Sequence, residues 1–235
     1  MRTRRSLMPR LAPALLLVWL GTSPAPGQVA TETKAEPGRV KVTVDTSEVP
    51  EVGPWAEEAR GLVETWYPKI AELLKSDGFT PPRDVTLVFK KDMKGVANTS
   101  GSRITIAADW IKRHPEDKGM VIHELTHVIQ SYRRGGEGWL VEGIADYVRF
   151  FKYEPQTRVT IRNPQKASYR DSYRTAGKFL DWAQRTYDTL LVSRLNQALR
   201  KGEYTPERFR DATSRSLDDL WAEFIEDYRK AEGGR

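Results

Sequence analysis

Residues 121–130, Val-Ile-His-Glu-Leu-Thr-His-Val-Ile-Gln, contain an H-E-x-x-H motif, and the interpretation of the chain starts from it. The apolar residues of this stretch recur at helical spacing, so it predicts a helix with one face in the core. His123 and His127 lie one turn apart on a different face of that helix, so their imidazoles project the same way. Two histidines arranged like this can bind one zinc ion, and Glu124 beside them is a candidate general base.

A zinc site of this kind needs a third protein ligand, and the segment after the motif offers three carboxylates. Residues 139–148 predict a second helix, on which Glu142 and Asp146 lie one turn apart on the same face. This spacing lets Glu142 bind the metal while Asp146 accepts the other N–H of a ligating histidine and fixes its tautomer. The reverse assignment, with Asp146 as the ligand, stays open, as does Glu137 in the preceding loop.

The rest of the chain predicts an α+β fold, with a small N-terminal sheet and an early helix followed by a mostly helical half. The early helix begins at Gly53-Pro54 and ends near Gly78, and Pro68 is expected to bend or split it. The last two strands are expected to form a hairpin or a sheet edge, with Lys90–Gly101 as a loop between them. The predicted strands are 40–44, 85–89 and 103–107, and the later helices are about 116–132, 138–153, 171–187, 189–200 and 216–230.

Most of the net positive charge of the chain lies in its N-terminal 27 residues. The sequence has 38 Lys and Arg against 32 Asp and Glu residues, a formal charge of +6. Residues 1–27 hold four arginines and no acid, so the remaining chain has 34 basic and 32 acidic residues, a net +2. Their basic start, apolar run Leu11–Leu20 and small residues are typical of a cleaved secretory signal peptide, which predicts a secreted or periplasmic protein. A flexible linker is expected over 28–39 and a single catalytic domain over 40–235.

The composition also argues against several kinds of site and of partner. The chain has no cysteine, which excludes disulfides, thiolate zinc sites and cysteine nucleophiles. No later segment is long and apolar enough for a stable membrane span once the signal is removed. Nucleic acid is not an expected partner, because the charge after residue 27 is small and no basic stripe with interleaved aromatics occurs. The oligomeric state is left open.

Residues 121–149 resemble the plant basic secretory protein family, also called the peptidases of plants and bacteria, within the zincin metallopeptidases. The specific part of the resemblance is the H-E-x-x-H motif joined to Glu-Gly-Ile-Ala-Asp-Tyr-Val-Arg at 142–149. Similarity continues through 172–180 and 216–221. The resemblance implies a secreted protein with a zincin-like fold of the glutamate-zincin type. It also implies zinc-dependent hydrolysis of peptide bonds in a protein or peptide substrate.

In the expected mechanism, His123, His127 and Glu142 hold Zn²⁺, and Glu124 takes a proton from the attacking water. A first alternative is a non-catalytic binding protein that keeps the zincin fold, and the presence of Glu124 argues against it. A second alternative is a cell-wall-associated hydrolase, which the aromatic residues favour slightly.

A peptidase of this type also needs a donor for the oxyanion that forms at the substrate carbonyl. Tyr173 is the preferred candidate because it lies in the family-like segment, and Tyr147, Tyr169 and His114 are the others. Residues 96–106 are a candidate edge strand, to which an extended substrate would add as a further strand.

Overall fold

The computed structural model describes residues 39–132, 137–171 and 173–233. The predicted signal peptide, and the predicted linker apart from Arg39, lie outside the described residues. The strands are β1 (Lys41–Asp45), β2 (Asp84–Lys90), β3 (Ala97–Ser100) and β4 (Arg103–Ala107). The helices are α1 (Gly53–Leu73), α2 (Ala108–Arg113), α3 (Gly119–Gln130), α4 (Gly138–Val148), α5 (Tyr173–Thr186), α6 (Leu191–Lys201), α7 (Glu207–Thr213) and α8 (Leu217–Gly233).

The predicted α+β class is confirmed. The four strands form one mixed sheet in the order β1-β2-β4-β3. β1 and β2 are parallel, and α1 makes the crossover between them that a parallel pair requires. Every later element of the described chain after β4 is helical, so the sheet is completed before the helical half begins.

The predicted pairing of the last two long strands as a hairpin is wrong. β2 and β4 are parallel neighbours, and the antiparallel partner of β4 is β3, which lies at the sheet edge. β3 falls both in the stretch predicted as a loop, 90–101, and in the candidate edge strand, 96–106. β3 and β4 are joined by Gly101-Ser102, and Gly101 has a φ of 58°, which suits the tight turn of a two-residue hairpin. β3 is short and polar, so its sequence lacks the apolar alternation by which strands are recognised.

Helix α1 is continuous, so the prediction that Pro68 splits it is wrong. Pro68 lies on the exposed side of the helix, while the neighbouring Tyr67 and Ile70 are buried in the core. Water can solvate the backbone carbonyl that loses its hydrogen bond at an exposed proline, and the packing of the buried face keeps the helix intact.

Two short helices, α2 and α7, were not predicted. They contain 6 and 7 residues, fewer than the two or more turns over which a helical apolar period can be recognised. The helix predicted to end at residue 153 has two parts. α4 ends at Val148, and one π-helical turn, Arg149–Tyr153, continues it.

Helix α3 is the centre of the fold and contacts α1, β3, β4 and α4. Helix α4 packs in turn against α5, and two glycines make that approach close. A Cβ on Gly143 would lie 2.8 Å from the Ala176 Cβ, and one on Gly177 would lie 2.9 Å from the Tyr147 backbone nitrogen. Helix α4 therefore lies between α3 and α5, and its Glu142 and Asp146 side chains contact α3.

Candidate metal centre

His123, His127 and Glu142 converge on one point between helices α3 and α4. The two Nε2 atoms lie 3.1 Å apart, and each is 3.1 Å from Glu142 Oε2. These three residues, called the His-His-Glu cluster below, are able to hold a metal ion. In a tetrahedral zinc site with bonds of about 2.0–2.1 Å, neighbouring ligand atoms are about 3.3 Å apart. The spacing of the cluster therefore fits a small cation of this kind.

Each histidine is oriented by a buried acceptor behind it. His123 Nδ1 donates to Asp146 Oδ1 at 2.7 Å, and His127 Nδ1 donates to Gln130 Oε1 at 2.8 Å. The orientation of the Gln130 amide follows from its other end, because its Nε2 donates to the Val141 carbonyl at 2.9 Å. Both Nδ1 atoms are thus protonated, so each imidazole in its neutral form aims an Nε2 lone pair into the cluster.

Two lone pairs and a carboxylate oxygen at this separation need a positive charge between them. In the protein without a metal ion, protons on these side chains provide that positive charge. Burial lowers the pKa of His123, but hydrogen bonds to Asp146 and Glu142 outweigh burial and raise that pKa to about 9. Burial likewise raises the pKa of Glu142, but hydrogen bonds from His123 and His127 lower it to about 2. The cluster is therefore a site for positive charge, which a metal ion can occupy by displacing protons.

Glu124 lies beside the cluster without belonging to it. Its side chain is buried, with 7% of the residue exposed, and its Oε2 accepts a hydrogen bond from Thr99 Oγ1 at 2.7 Å. Thr99 lies on β3, so the edge strand of the sheet holds one oxygen of this carboxylate. The described residues provide no hydrogen-bond donor to Oε1, and this oxygen is available to a water or a substrate.

Two cavities meet at Glu124 and His123. The first cavity has a volume of about 560 Å³ and is lined by the His-His-Glu cluster, by β3 and by Tyr132. The second cavity, of about 390 Å³, lies on the other side and is lined by Met120, Phe150 and Arg174, among others. Both cavities share Tyr173, which is 55% exposed and has its ring centroid 6.3 Å from that of His123.

The other sequence candidates lie elsewhere. Glu137 is exposed and pairs with Arg170 at 3.4 Å. The His114 ring packs on Trp110, with 4.1 Å between the ring centroids. Tyr147 is fully buried with its hydroxyl bonded to Gln184, and Tyr169 is buried against Trp139. None of these four candidates lines either cavity.

Sequence reasoning missed Gln130 and Thr99. Gln130 had a recognisable signal, because it lies three residues after His127 on the same helix and therefore next to it. Thr99 had none, since it is 25 residues before Glu124 and its place in the candidate edge strand 96–106 did not indicate a contact with that glutamate.

Comparison with known proteins identifies the class. A family model described as "Peptidase of plants and bacteria" matches residues 55–224. The chain therefore belongs to this family, as its sequence resemblance predicted, and the family name indicates a peptidase that acts on peptide substrates. No curated protein and no solved structure matches the chain significantly. Within the part of the chain that the structure describes, no helix combines the length and apolar character needed to cross a membrane.

Proposed function

We propose that the protein is a secreted, zinc-dependent metallopeptidase with a zincin-like fold, and that it hydrolyses internal peptide bonds. The observation that carries the proposal is the convergence of two imidazole lone pairs and one carboxylate oxygen, about 3.1 Å apart, beside the buried Glu124. Membership of a peptidase family supports the same activity.

His123, His127 and Glu142 would hold the ion. Two imidazoles with one carboxylate are a donor set used by catalytic zinc sites, and the first cavity gives access to all three side chains. Zinc, when bound, lowers the pKa of a water towards neutrality and polarises a carbonyl oxygen. Asp146 and Gln130 keep the two imidazoles in the tautomer that a metal requires.

Glu124 acts as the general base. Its Oε2 is held by Thr99, so its Oε1 accepts the proton of the attacking water and passes it to the leaving amine. Tyr173 is the proposed donor to the oxyanion, because its exposed ring stands beside His123 at the junction of the two cavities. An extended substrate would lie along β3, whose outer edge has no strand partner within the described sheet.

The test compares three variants with the zinc-loaded protein. Glu124→Gln should keep one zinc per chain and lose hydrolysis of casein and of a peptide library. His123→Ala should lose the zinc as well, whereas His114→Ala, at the histidine outside the cluster, should keep both zinc and activity. Retained proteolysis in a clean Glu124→Gln preparation would refute the role of the base. Unchanged zinc content in His123→Ala would refute the metal site.

Secretion is a separate part of the proposal and rests on residues 1–27. We expect the exported protein to begin at Gln28 or Thr31, after cleavage behind Gly27 or Ala30. Mass spectrometry of the mature N-terminus checks this, and a mature protein that still begins near Met1 would contradict it.

A further inference from the structure

The second cavity differs from the first in its walls. Met120 and Phe150, which are 3% and 2% exposed, provide an apolar wall together with the half-buried Trp110. The cavity adjoins His123 and Glu124 directly, so a group bound in it would lie next to the reacting bond of a substrate.

Most of the charged groups on this cavity already have partners within the protein. Arg149 donates to Asp117 and to Glu154, each at 2.7 Å, in a partly buried network. Asp146 is bonded to His123. The Arg149 network holds one cation and two carboxylates, so it offers no free cation to a ligand.

Arg174 is the exception. Its guanidinium lies over the Phe150 ring, 4.8 Å from the centroid, and it has no ion pair or side-chain hydrogen bond with any residue of the described ranges. The first cavity has no lysine or arginine in its lining, and its acidic members Glu124 and Glu142 belong to the catalytic centre. The two sides of the centre are therefore electrostatically different, with an unneutralised cation on one side only.

We propose that the second cavity binds a carboxylate of the peptide substrate through Arg174. The carboxylate belongs either to an acidic side chain next to the scissile bond or to the chain terminus. The methylene groups of such a residue would pack on Phe150 and Met120. Its carboxylate would form hydrogen bonds with the Arg174 guanidinium, whose planar shape matches a carboxylate. This inference rests on the proposed peptidase function and adds to it a preference for acidic substrates.

The experiment uses amidated peptides that carry Glu, Gln or Lys at single positions around one cleavable bond, and a second set with a free C-terminal carboxylate. Zinc-loaded wild-type protein should cleave the Glu peptide with a kcat/KM about fivefold above that of the Gln peptide, the size expected for a partly exposed ion pair. The same preference confined to the free-terminus set would assign the carboxylate to the chain end.

Arg174→Gln should bring the Glu/Gln ratio to about one, and Arg174→Glu should favour the Lys peptide. Arg185→Gln is the matched control, because Arg185 lies on the same helix, pairs with Asp181 and lines neither cavity. It should keep the wild-type ratio. The preference should also shrink at high ionic strength, since the pair is open to solvent. A wild-type protein without preference, or an Arg174→Gln variant that keeps it, overturns the proposal.

A binding measurement separates this inference from the proposed function. The dissociation constants of the same labelled peptides are measured by fluorescence anisotropy on the Glu124→Gln variant, with and without Arg174→Gln. If no peptide is cleaved by the wild type, the peptidase proposal fails. A Glu preference in binding that depends on Arg174 still supports the cavity, and equal affinities or no binding overturns it.

Discussion

Substituting Gln130 by leucine should weaken metal binding without touching a ligand. Gln130 is 1% exposed and bridges two groups, accepting from His127 Nδ1 and donating to the Val141 carbonyl. Leucine has a similar volume and makes neither hydrogen bond. The His127 ring then loses the acceptor that fixes its tautomer, and the partly buried Val141 carbonyl keeps only the hydrogen bond of its own helix.

The magnitude follows from these two bonds. Loss of an acceptor behind a metal-bound histidine costs about 10- to 100-fold in metal affinity. In addition, a buried polar group left without a partner, here His127 Nδ1–H, costs about 1–3 kcal/mol in the free energy of unfolding. Gln130→Glu keeps an acceptor for His127 but places a carboxylate oxygen against the Val141 carbonyl. That variant should therefore lose stability while its zinc affinity falls less than that of Gln130→Leu.

The assay is competition for zinc with a chromophoric chelator, on variants whose circular dichroism confirms folding. Gln197→Leu is a suitable control, because the Gln197 side chain forms no hydrogen bond within the described part of the chain and lies on helix α6. Zinc affinity of a folded Gln130→Leu variant within twofold of the wild type would refute the argument that Gln130 orients His127.

Three further predictions concern the base, the helix packing and the pH dependence. Thr99→Val should lower kcat about tenfold or more with little change in KM or zinc content, because a hydrogen bond to a carboxylate contributes about 1.5–3 kcal/mol. Thr99→Ser, which keeps the hydroxyl, should keep activity. Equal loss of activity in both variants would contradict the role of the hydroxyl. Gly177→Ala should destabilise the protein by about 1–3 kcal/mol in urea unfolding, because its Cβ would overlap the α4 backbone, whereas Gly61→Ala, with open space, should not. In chelator-treated protein, the raised pKa of His123 contributes stability that is complete below pH 6.5 and is lost as the pH rises through about 9. Zinc-loaded protein should lack this loss, because bound imidazole carries no such proton, and thermal unfolding across pH 6–10 checks both forms.

The successes and failures of sequence prediction in this fold have a common cause. Helices α3, α4, α5 and α6 were predicted close to their observed ranges, because their apolar residues repeat over several turns. The sequence offered 96–106 as a candidate edge strand but not the bounds of β3, because a short polar strand has no apolar face to show in its sequence. The parallel pairing of β2 and β4 could not be derived either. Parallel and antiparallel strands look alike in sequence, and strand order depends on how the strands pack together.

The same division applies to the candidate site. The placement of His123 and His127 side by side is a local property of a helix with residues four apart, and the sequence alone determined it. Which carboxylate faces them was a choice among Glu137, Glu142 and Asp146 that only tertiary structure decided. The packing of α4 against α3 directs Glu142 Oε2 to both imidazoles and Asp146 to the far nitrogen of His123, while Glu137 stays at the surface. Contacts between residues distant in the chain depend on how helices and strands pack, and no local spacing contains that information.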